Sequence, residues 1–307
     1  MRDREALLRA CLTSLQASLL QYPNAYIVVV DNGSTDGSFV VGQAFGPRVS
    51  SIQSLARSIG GVRNAGAQQH GIAADAFVFV DCDCIVRPDF LPAVASVFHA
   101  SGADAVGCEV ISPADGHWTE VTSDALHRVG GDSFREYINS ACFAVKAEAF
   151  KSIGGFDEQM TSSEDVDICR RLLKKGFRIF HSESLRVVHL GNPKSTSGFY
   201  KRLRWHGEGA AQARPFQLSR TIAAAITHLL VSSVGLAVAV TWTLQDRNLY
   251  RAGLLLIASF LAVPTLFVAA RAAQLRRPIP IANSIALMTV SMFARSHGLL
   301  RSLRRRA

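Results

Sequence analysis

The chain has 307 residues, 49% hydrophobic and only 19% charged, enough for one large α/β domain with an appendage; this excludes intrinsic disorder and any need for disulfide staples. The formal net charge of +9 is unevenly placed: residues 221–307 hold ten Arg against a single acid, Asp246, whereas residues 1–220 carry 23 charges of each sign. A nucleic-acid reader would carry its basic residues on the folded part, so nucleic acid is excluded as a partner and an anionic membrane surface is expected instead.

From Arg4 to Leu20 the apolar residues Leu7, Leu8, Cys11, Leu12, Leu15 and Leu19 recur at three and four, which predicts a helix. Tyr26 to Val30 is a β-branched run without polar alternation, the pattern of a strand buried on both faces, and it stops at the turn formers Asp31-Asn32-Gly33-Ser34. Phe77 to Val80 repeats the pattern and ends at Asp81-Cys82-Asp83. Between the two runs Gly60-Gly61-Val62-Arg63-Asn64-Ala65-Gly66 reads as a glycine-rich loop leading into a helix of small residues. Such alternation predicts a doubly wound α/β domain, whose ligands lie beyond the carboxyl ends of its strands, where both acidic clusters fall. Further on, Tyr137 to Val145 reads as a strand, Lys146 to Ser152 as a helical turn and Gly154-Gly155 as a tight loop. A helix then opens at Ser162-Ser163-Glu164-Asp165 and closes at Gly176, with acids at its start and Lys174 and Lys175 at its end. Arg186 to Leu190 is a last strand-like piece. The six cysteines show no Cys-x-x-Cys pair, so they read as small buried hydrophobes in a reducing compartment. Residues 1–20 have no continuous apolar stretch of the kind a secretory signal carries.

After Arg220 the chemistry changes. Thr221–Leu244 has no formal charge, and Tyr250–Ala270 is interrupted only by Arg251; each is long enough to cross a hydrocarbon layer of roughly 30 Å. Arg271, Arg276 and Arg277 follow the second run, and Arg295, Arg301, Arg304, Arg305 and Arg306 crowd the tail. The positive-inside rule puts both clusters in the cytoplasm, together with the globular part. The third apolar stretch, Ile279 to Ala294, is shorter and begins Pro278-Ile279-Pro280; spanning would strand the terminal arginines outside, so an interfacial or re-entrant helix is expected.

Asp31-Asn-Gly-Ser-Thr-Asp-Gly-Ser, Arg63-Asn-Ala-Gly, Asp81-Cys-Asp83, Gly-Gly-Phe-Asp157-Glu, Glu164-Asp165 and a later Val-His189 occur in an order that resembles family 2 glycosyltransferases of the GT-A fold, over roughly residues 4–205. The resemblance implies a nucleotide-diphospho-sugar transferase-like, Rossmann-like, mostly parallel sheet followed by the transmembrane helices. It implies Mg²⁺ or Mn²⁺ as cofactor, with Asp83 the main metal ligand and Asp81 turned toward the donor ribose or sharing the metal; two carboxylates two residues apart can project from one strand end. On residue chemistry alone these acids equally suit an acidic turn capping the next helix. Asp31 would accept an N–H from the nucleotide base, which favours uridine or thymidine donors, or build an Asx turn, or both. Arg63 would meet the donor phosphates, with the adjoining glycines allowing close backbone approach. Asp165 would be the base that deprotonates the acceptor hydroxyl and Glu164 its orienting partner; otherwise the pair serves only the helix dipole. His189 would join the metal or the diphosphate, or be structural.

Two features depart from the family pattern. Members begin with an apolar strand before the first helix, and Met1-Arg2-Asp3-Arg4-Glu5 starts where that strand should have finished, so an N-terminally truncated chain or a start assigned too late is expected. Processive synthases carry Gln-x-x-Arg-Trp; here Arg204-Trp205 is present but Lys201 stands at the glutamine position, which favours transfer of a single sugar. Arg202, Arg204 and Trp205 then read as a juxtamembrane anchor. The expected organisation is a catalytic domain over residues 1–200, a juxtamembrane segment over 201–220, a transmembrane hairpin over 221–270, and an interfacial helix with a basic tail over 271–307. The expected function is inverting transfer of a sugar from a UDP- or dTDP-type nucleotide donor to a lipid-linked or envelope-glycan acceptor at the cytoplasmic membrane face. The alternative is a catalytically impaired, nucleotide-sugar-binding assembly subunit. A channel or transporter is disfavoured because His228 is the only ionisable residue well inside a span.

Overall fold

The structure is a computed structural model that describes residues 1–56, 58–69, 74–128, 130–212, 219–246, 248–275 and 278–304. Arg247, Arg276, Arg277, Arg305 and Arg306 lie outside the described residues. Two compact units emerge, one of residues 1–113 and 130–192, the other of residues 114–129 and 193–307. The second unit thus includes a short internal segment far from the C-terminus in sequence.

In chain order the elements are α1 (Glu5–Gln21), β1 (Ile27–Asp31), α2 (Ser38–Gln43), β2 (Val49–Gln53), α3 (Ile59–Gln68), β3 (Ala76–Val80), β4 (Cys84–Ile85), α4 (Phe90–Ser101), β5 (Ala105–Ile111), α5 (Trp118–His127), β6 (Ser133–Phe134), β7 (Cys142–Lys146), α6 (Ala147–Ser152), α7 (Glu164–Lys174) and β8 (Ile179–His189), followed by α8 (Thr196–Gln212), α9 (Arg220–Asp246), α10 (Leu249–Gln274) and α11 (Ile281–Arg304). The β-branched runs became β1 and β3, and α1 buries Leu8, Cys11, Leu12, Leu15 and Leu19 along the stripe its periodicity predicts.

The first unit is a mixed α/β structure. β1 and β2 pair in parallel with each other, and a second sheet runs β3-β7-β5-β8-β4, with β6 also on β8. The expectation of a mostly parallel sheet is corrected in detail. β5 and β8 are parallel, but β7 enters antiparallel between β3 and β5, and β4 and β6 are antiparallel to β8. Met1 adds one rung beside β1, donating its N-terminal N–H to Val30 O at 2.9 Å and accepting from Asn32 N at 2.7 Å.

The strand expected over Tyr137–Val145 is shorter than its sequence suggests. Asn139 Oδ1 accepts the Ala141 N–H at 2.8 Å and Arg63 Nη2 donates to Ser140 O at 3.1 Å, so residues before Cys142 spend their backbone groups on side chains. β8 in turn is longer than the five residues expected, because its first half pairs with β5 and β6. Behind β3 and β7 lies a cluster of Phe77, Phe79, Phe143, Phe150 and Phe156, with ring centroids 5.2 to 6.3 Å apart. Cys11, Cys84, Cys108, Cys142 and Cys169 are buried and all six cysteines are free thiols, in keeping with their reading as small hydrophobes.

The second unit is helical. α9 over Arg220–Gln245 and α10 over Leu249–Gln274 are long and apolar enough to cross a membrane, with mean hydropathies of 2.0 and 2.3. α11 begins at Ile281 near the expected position and continues past Ala294 to Arg304. Its contact with α8 is made by small residues: a Cβ on Gly298 would lie 2.1 Å from Arg204 O and one on Gly207 would lie 2.4 Å from Arg295 O. The two backbones touch there, which no side chain allows. α5 joins the same unit, its last carbonyls at Leu126 and Arg128 taken by the Arg271 guanidinium at 2.7 and 3.2 Å. Because the atoms opposing Gly298 are backbone, Gly298→Ala is expected to cost about 1–3 kcal/mol, read as a lower unfolding midpoint of the detergent-solubilised protein.

Candidate active site

The site is organised by Arg63 on α3, a guanidinium whose side chain is only 10% exposed. Nη1 donates to Glu164 Oε1 at 2.8 Å and to Ser140 Oγ at 3.1 Å, while Nη2 donates to Asp81 Oδ1 at 2.8 Å and to Ser140 O at 3.1 Å. Its plane lies over the Phe156 ring, 5.4 Å from the centroid. Burial opposes its charge, but Asp81 and Glu164 outweigh that and hold its pKa above the usual arginine value. One residue thereby ties together the end of β3, the turn before β7 and the start of α7.

Arg63 stands where it does because α3 packs tightly on the loop that follows α6. Asn64 Nδ2 donates to Phe156 O and to Glu158 Oε1, each at 2.9 Å, and Asn64 Oδ1 accepts from Phe156 N at 2.9 Å. Gly155 has φ +73° and a Cβ there would sit 2.6 Å from Asn64 Oδ1, while a Cβ on Gly60 would lie 2.9 Å from Asp157 O. The glycine-rich segment read as a loop leading into a helix itself opens α3, and Gly60 serves this helix-to-loop contact. Asn64, Phe156 and Glu158 are therefore scaffolding for Arg63, and the Asn-Ala-Gly and Gly-Gly-Phe-Asp-Glu motifs meet in space.

Asp81 ends β3 with its side chain 38% exposed, one carboxylate oxygen on Arg63. Asp83 lies two residues on, and its Oδ1 is 3.2 Å from His189 Nε2 at the end of β8. Neither acid caps α4, whose N-cap is Asp89. His189 Nδ1 is buried without a hydrogen-bond partner, and a ligand atom from each of Asp83, Cys84 and His189 lies within 4.8 Å of the others, close enough to share one cation. Gly191 makes room for the Asp83 carboxylate, since a Cβ there would lie 1.8 Å from Asp83 Oδ2. The oxygen and nitrogen donors fit a hard to borderline divalent cation. Cys84 Sγ belongs to the same group of potential ligand atoms. It donates to Ala141 O at 3.5 Å, however, and burial pushes its pKa up, so it stays a protonated thiol and a poor ligand.

Glu164 and Asp165 open α7. Ser163 before them adopts φ +66°, a left-handed conformation rare for serine, and offers no side-chain cap. The acids themselves face the positive helix end. Asp165 Oδ1 accepts from Val166 N at 2.8 Å and Oδ2 accepts from the Tyr137 hydroxyl at 2.7 Å. Burial, and then the neighbouring Glu164 carboxylate, raise the Asp165 pKa to about 6 despite these bonds. Asp31, fully buried at the end of β1, accepts from Ser34 N at 3.1 Å and also from Ser34 Oγ, so its Asx-turn role is realised.

The structure thus joins Arg63, Asp81 and Glu164 directly, places Asp165 beside Glu164, pairs Asp83 with His189, and leaves Asp31 in its own turn. Sequence reading missed Ser140 and Tyr137. Both lie in the segment it assigned to a strand, and nothing in that segment's composition signals its contacts with α3 and α7.

A family model described as "Glycosyltransferase like family 2" matches residues 2–208. The succinoglycan biosynthesis protein ExoA of Rhizobium meliloti (strain 1021) is 25% identical over 229 residues, 70% of this chain and 68% of that protein. The pre-mycofactocin glycosyltransferase of Mycobacterium tuberculosis is 30% identical over 138 residues, 41% of this chain and 29% of the relative. Among solved structures, the mannosyltransferase PcManGT from Pyrobaculum calidifontis, in complex with GDP-Man and Mn²⁺, superposes with a TM-score of 0.61 at 14% identity, over all of this chain and 86% of its own.

Removing the guanidinium leaves the buried Glu164 carboxylate unpaired. Arg63→Ala is expected to destabilise the protein by about 3–5 kcal/mol, and adding Glu164→Gln should return part of that loss; thermal unfolding of the single and double variants measures both.

Proposed function

The chain belongs to glycosyltransferase like family 2, and from that premise we propose that it moves one sugar from a nucleotide-diphosphate donor to a lipid-linked or envelope-glycan acceptor, with inversion at the anomeric carbon. The observation that carries this reading is the Arg63 bridge, which fixes Asp81 and Glu164 around one guanidinium and sets Asp165 beside them with a raised pKa. Asp165 is the acceptor's base: above pH 6 it is mostly ionised and able to take the hydroxyl proton as the oxygen attacks. Glu164, committed to Arg63 and Ser140, sits next to that base and adds to burial in raising the base's proton affinity toward the working pH. Asp81, half of it open to solvent beyond Arg63, faces the donor, and Asp31 holds the base from its turn. Asp83 and His189 would hold a divalent cation, Mg²⁺ or Mn²⁺, whose charge offsets the negative charge that builds on the departing diphosphate. The GT-A likeness to a Mn²⁺-bound mannosyltransferase and the convergence of Asp83 and His189 donor atoms support this assignment.

The pyrimidine preference rests on Asp31 alone. The acceptor class is supported by the relative named for succinoglycan biosynthesis, and by two helices able to anchor the enzyme where membrane-bound glycans are built. The arginine distribution supports a cytoplasmic catalytic domain.

The test incubates membranes containing the full chain with UDP-glucose, UDP-galactose, UDP-N-acetylglucosamine, dTDP-rhamnose and GDP-mannose, with and without Mn²⁺ or Mg²⁺, and measures nucleoside diphosphate release. Release with one of these donors is expected; donor binding without release by any of them would favour the impaired-subunit reading. Asp165→Asn is expected to lower turnover by about 10²- to 10⁴-fold with donor binding retained, whereas a purely dipolar role predicts a small loss of stability. The wild-type rate should rise through pH 6 and level off above it, following ionisation of Asp165. Asp83→Ala should abolish stimulation by the metal, measured as rate against Mn²⁺ concentration.

A further inference from the structure

We propose that Tyr137 is a positioning residue that fixes Oδ2 of Asp165 for the acceptor hydroxyl. This rests on the reading of Asp165 as the base. The two carboxylate oxygens have different fates: Oδ1 is tied to the backbone N–H of Val166 on its own helix, and Oδ2 is the oxygen left to meet a substrate. The Tyr137 hydroxyl, 28 residues earlier, donates to Oδ2 at 2.7 Å. Each carboxylate oxygen accepts two hydrogen bonds, so the phenol occupies one lone pair and leaves the second for the incoming alcohol, fixing the direction from which it must come.

The segment carrying Tyr137 is itself clamped. Ile138 is buried and packs on β5 where only glycine fits, since a Cβ on Gly107 would lie 2.4 Å from Ile138 Cγ2. Asn139 closes a turn onto Ala141, and Ser140 is held by Arg63 and by Glu164. Tyr137 as a residue is nevertheless 47% exposed, while its hydroxyl end is desolvated against Asp165.

The charged and titratable groups facing Asp165 are Glu164 and Cys169 from α7, Arg63 from α3 and Tyr137 from the clamped segment. Of these, Glu164 favours the protonated acid, whereas Tyr137 and Arg63 favour the carboxylate. Removing only the hydroxyl should therefore make Asp165 harder to ionise. During transfer the acceptor O–H bond breaks, its proton passes to Asp165, the oxygen's electron pair forms the new bond to the anomeric carbon, and the nucleoside diphosphate leaves with the electrons of the old one. Tyr137 keeps its own proton throughout.

Tyr137→Phe tests this in the full chain by two readouts. Carbodiimide labelling of Asp165, which follows the protonated carboxyl and needs no turnover, is quantified by peptide mass spectrometry across pH; its midpoint should move up by about half to one pH unit. With whichever nucleotide sugar supports diphosphate release, the acid limb of kcat/KM should move by the same amount. The plateau kcat should fall about tenfold, while the donor KM and the melting temperature stay unchanged. An unmoved labelling midpoint with unchanged kcat, or a loss of donor binding in step with rate, overturns the proposal. Full turnover by Asp165→Asn instead overturns the assignment of the base, a result distinct from either.

Discussion

A single buried guanidinium holds the site in shape. Arg63 presents donors in a rigid planar fork, and its geometry lets it meet an acid from a strand end, an acid from a helix start and both polar atoms of a serine. Lysine would supply the charge without the plane. Because Glu164 is nearly as buried as Arg63, neither group tolerates loss of the other, and the positions of β3, the turn before β7 and α7 become mutually dependent. A stack of phenylalanines behind Phe156 gives the guanidinium a dry wall on its other face, which strengthens every charge interaction in front of it.

The raised proton affinity of Asp165 comes first from burial and then from the like charge of Glu164 beside it, although Glu164 is paired with Arg63. The two acids are consecutive in sequence and differ in surroundings because one faces the arginine and the other faces a tyrosine. The same economy operates at Asp83, where a glycine two residues beyond His189 supplies the space that the carboxylate needs.

Much of this could be read from residue patterns. The β-branched runs marked β1 and β3, the acidic start and basic end marked α7, and uncharged length marked α9 and α10, because each is a local property that tertiary contacts merely exploit. The acids at strand ends were legible for the same reason. The direction of β7 was not, since periodicity reports burial and carries no record of which way a neighbour runs. Residues 137–141 read as strand together with the β-prone run up to Val145, but Arg63 and Asn139 compete for their backbone groups, and that competition comes from 77 positions away in the first case. At glycines 191, 207 and 298 only the neighbouring atoms reveal the constraint, a carboxylate side chain at the first and backbone at the other two.

The pairing of β1 with β2 alone, among the described strands, has a dynamic consequence. These strands share a small apolar core of Leu8, Leu12, Leu19, Val29, Val41 and Val49 with α1 and α2, and are joined to the larger sheet through side-chain packing at Ile27 and Leu91 and through the other face of α1, whose Ser14 and Ser18 hydroxyls accept from Val86 N and Leu91 N, with no ladder of hydrogen bonds between the sheets among the described residues. A region coupled to its neighbour without a shared ladder opens as a unit of its own, at lower free energy than the whole molecule. Amide protons of β1 and β2 should accordingly exchange with solvent sooner than those of β5, β7 and β8, so that the turn bearing Asp31 sits on the part of the fold that breathes first.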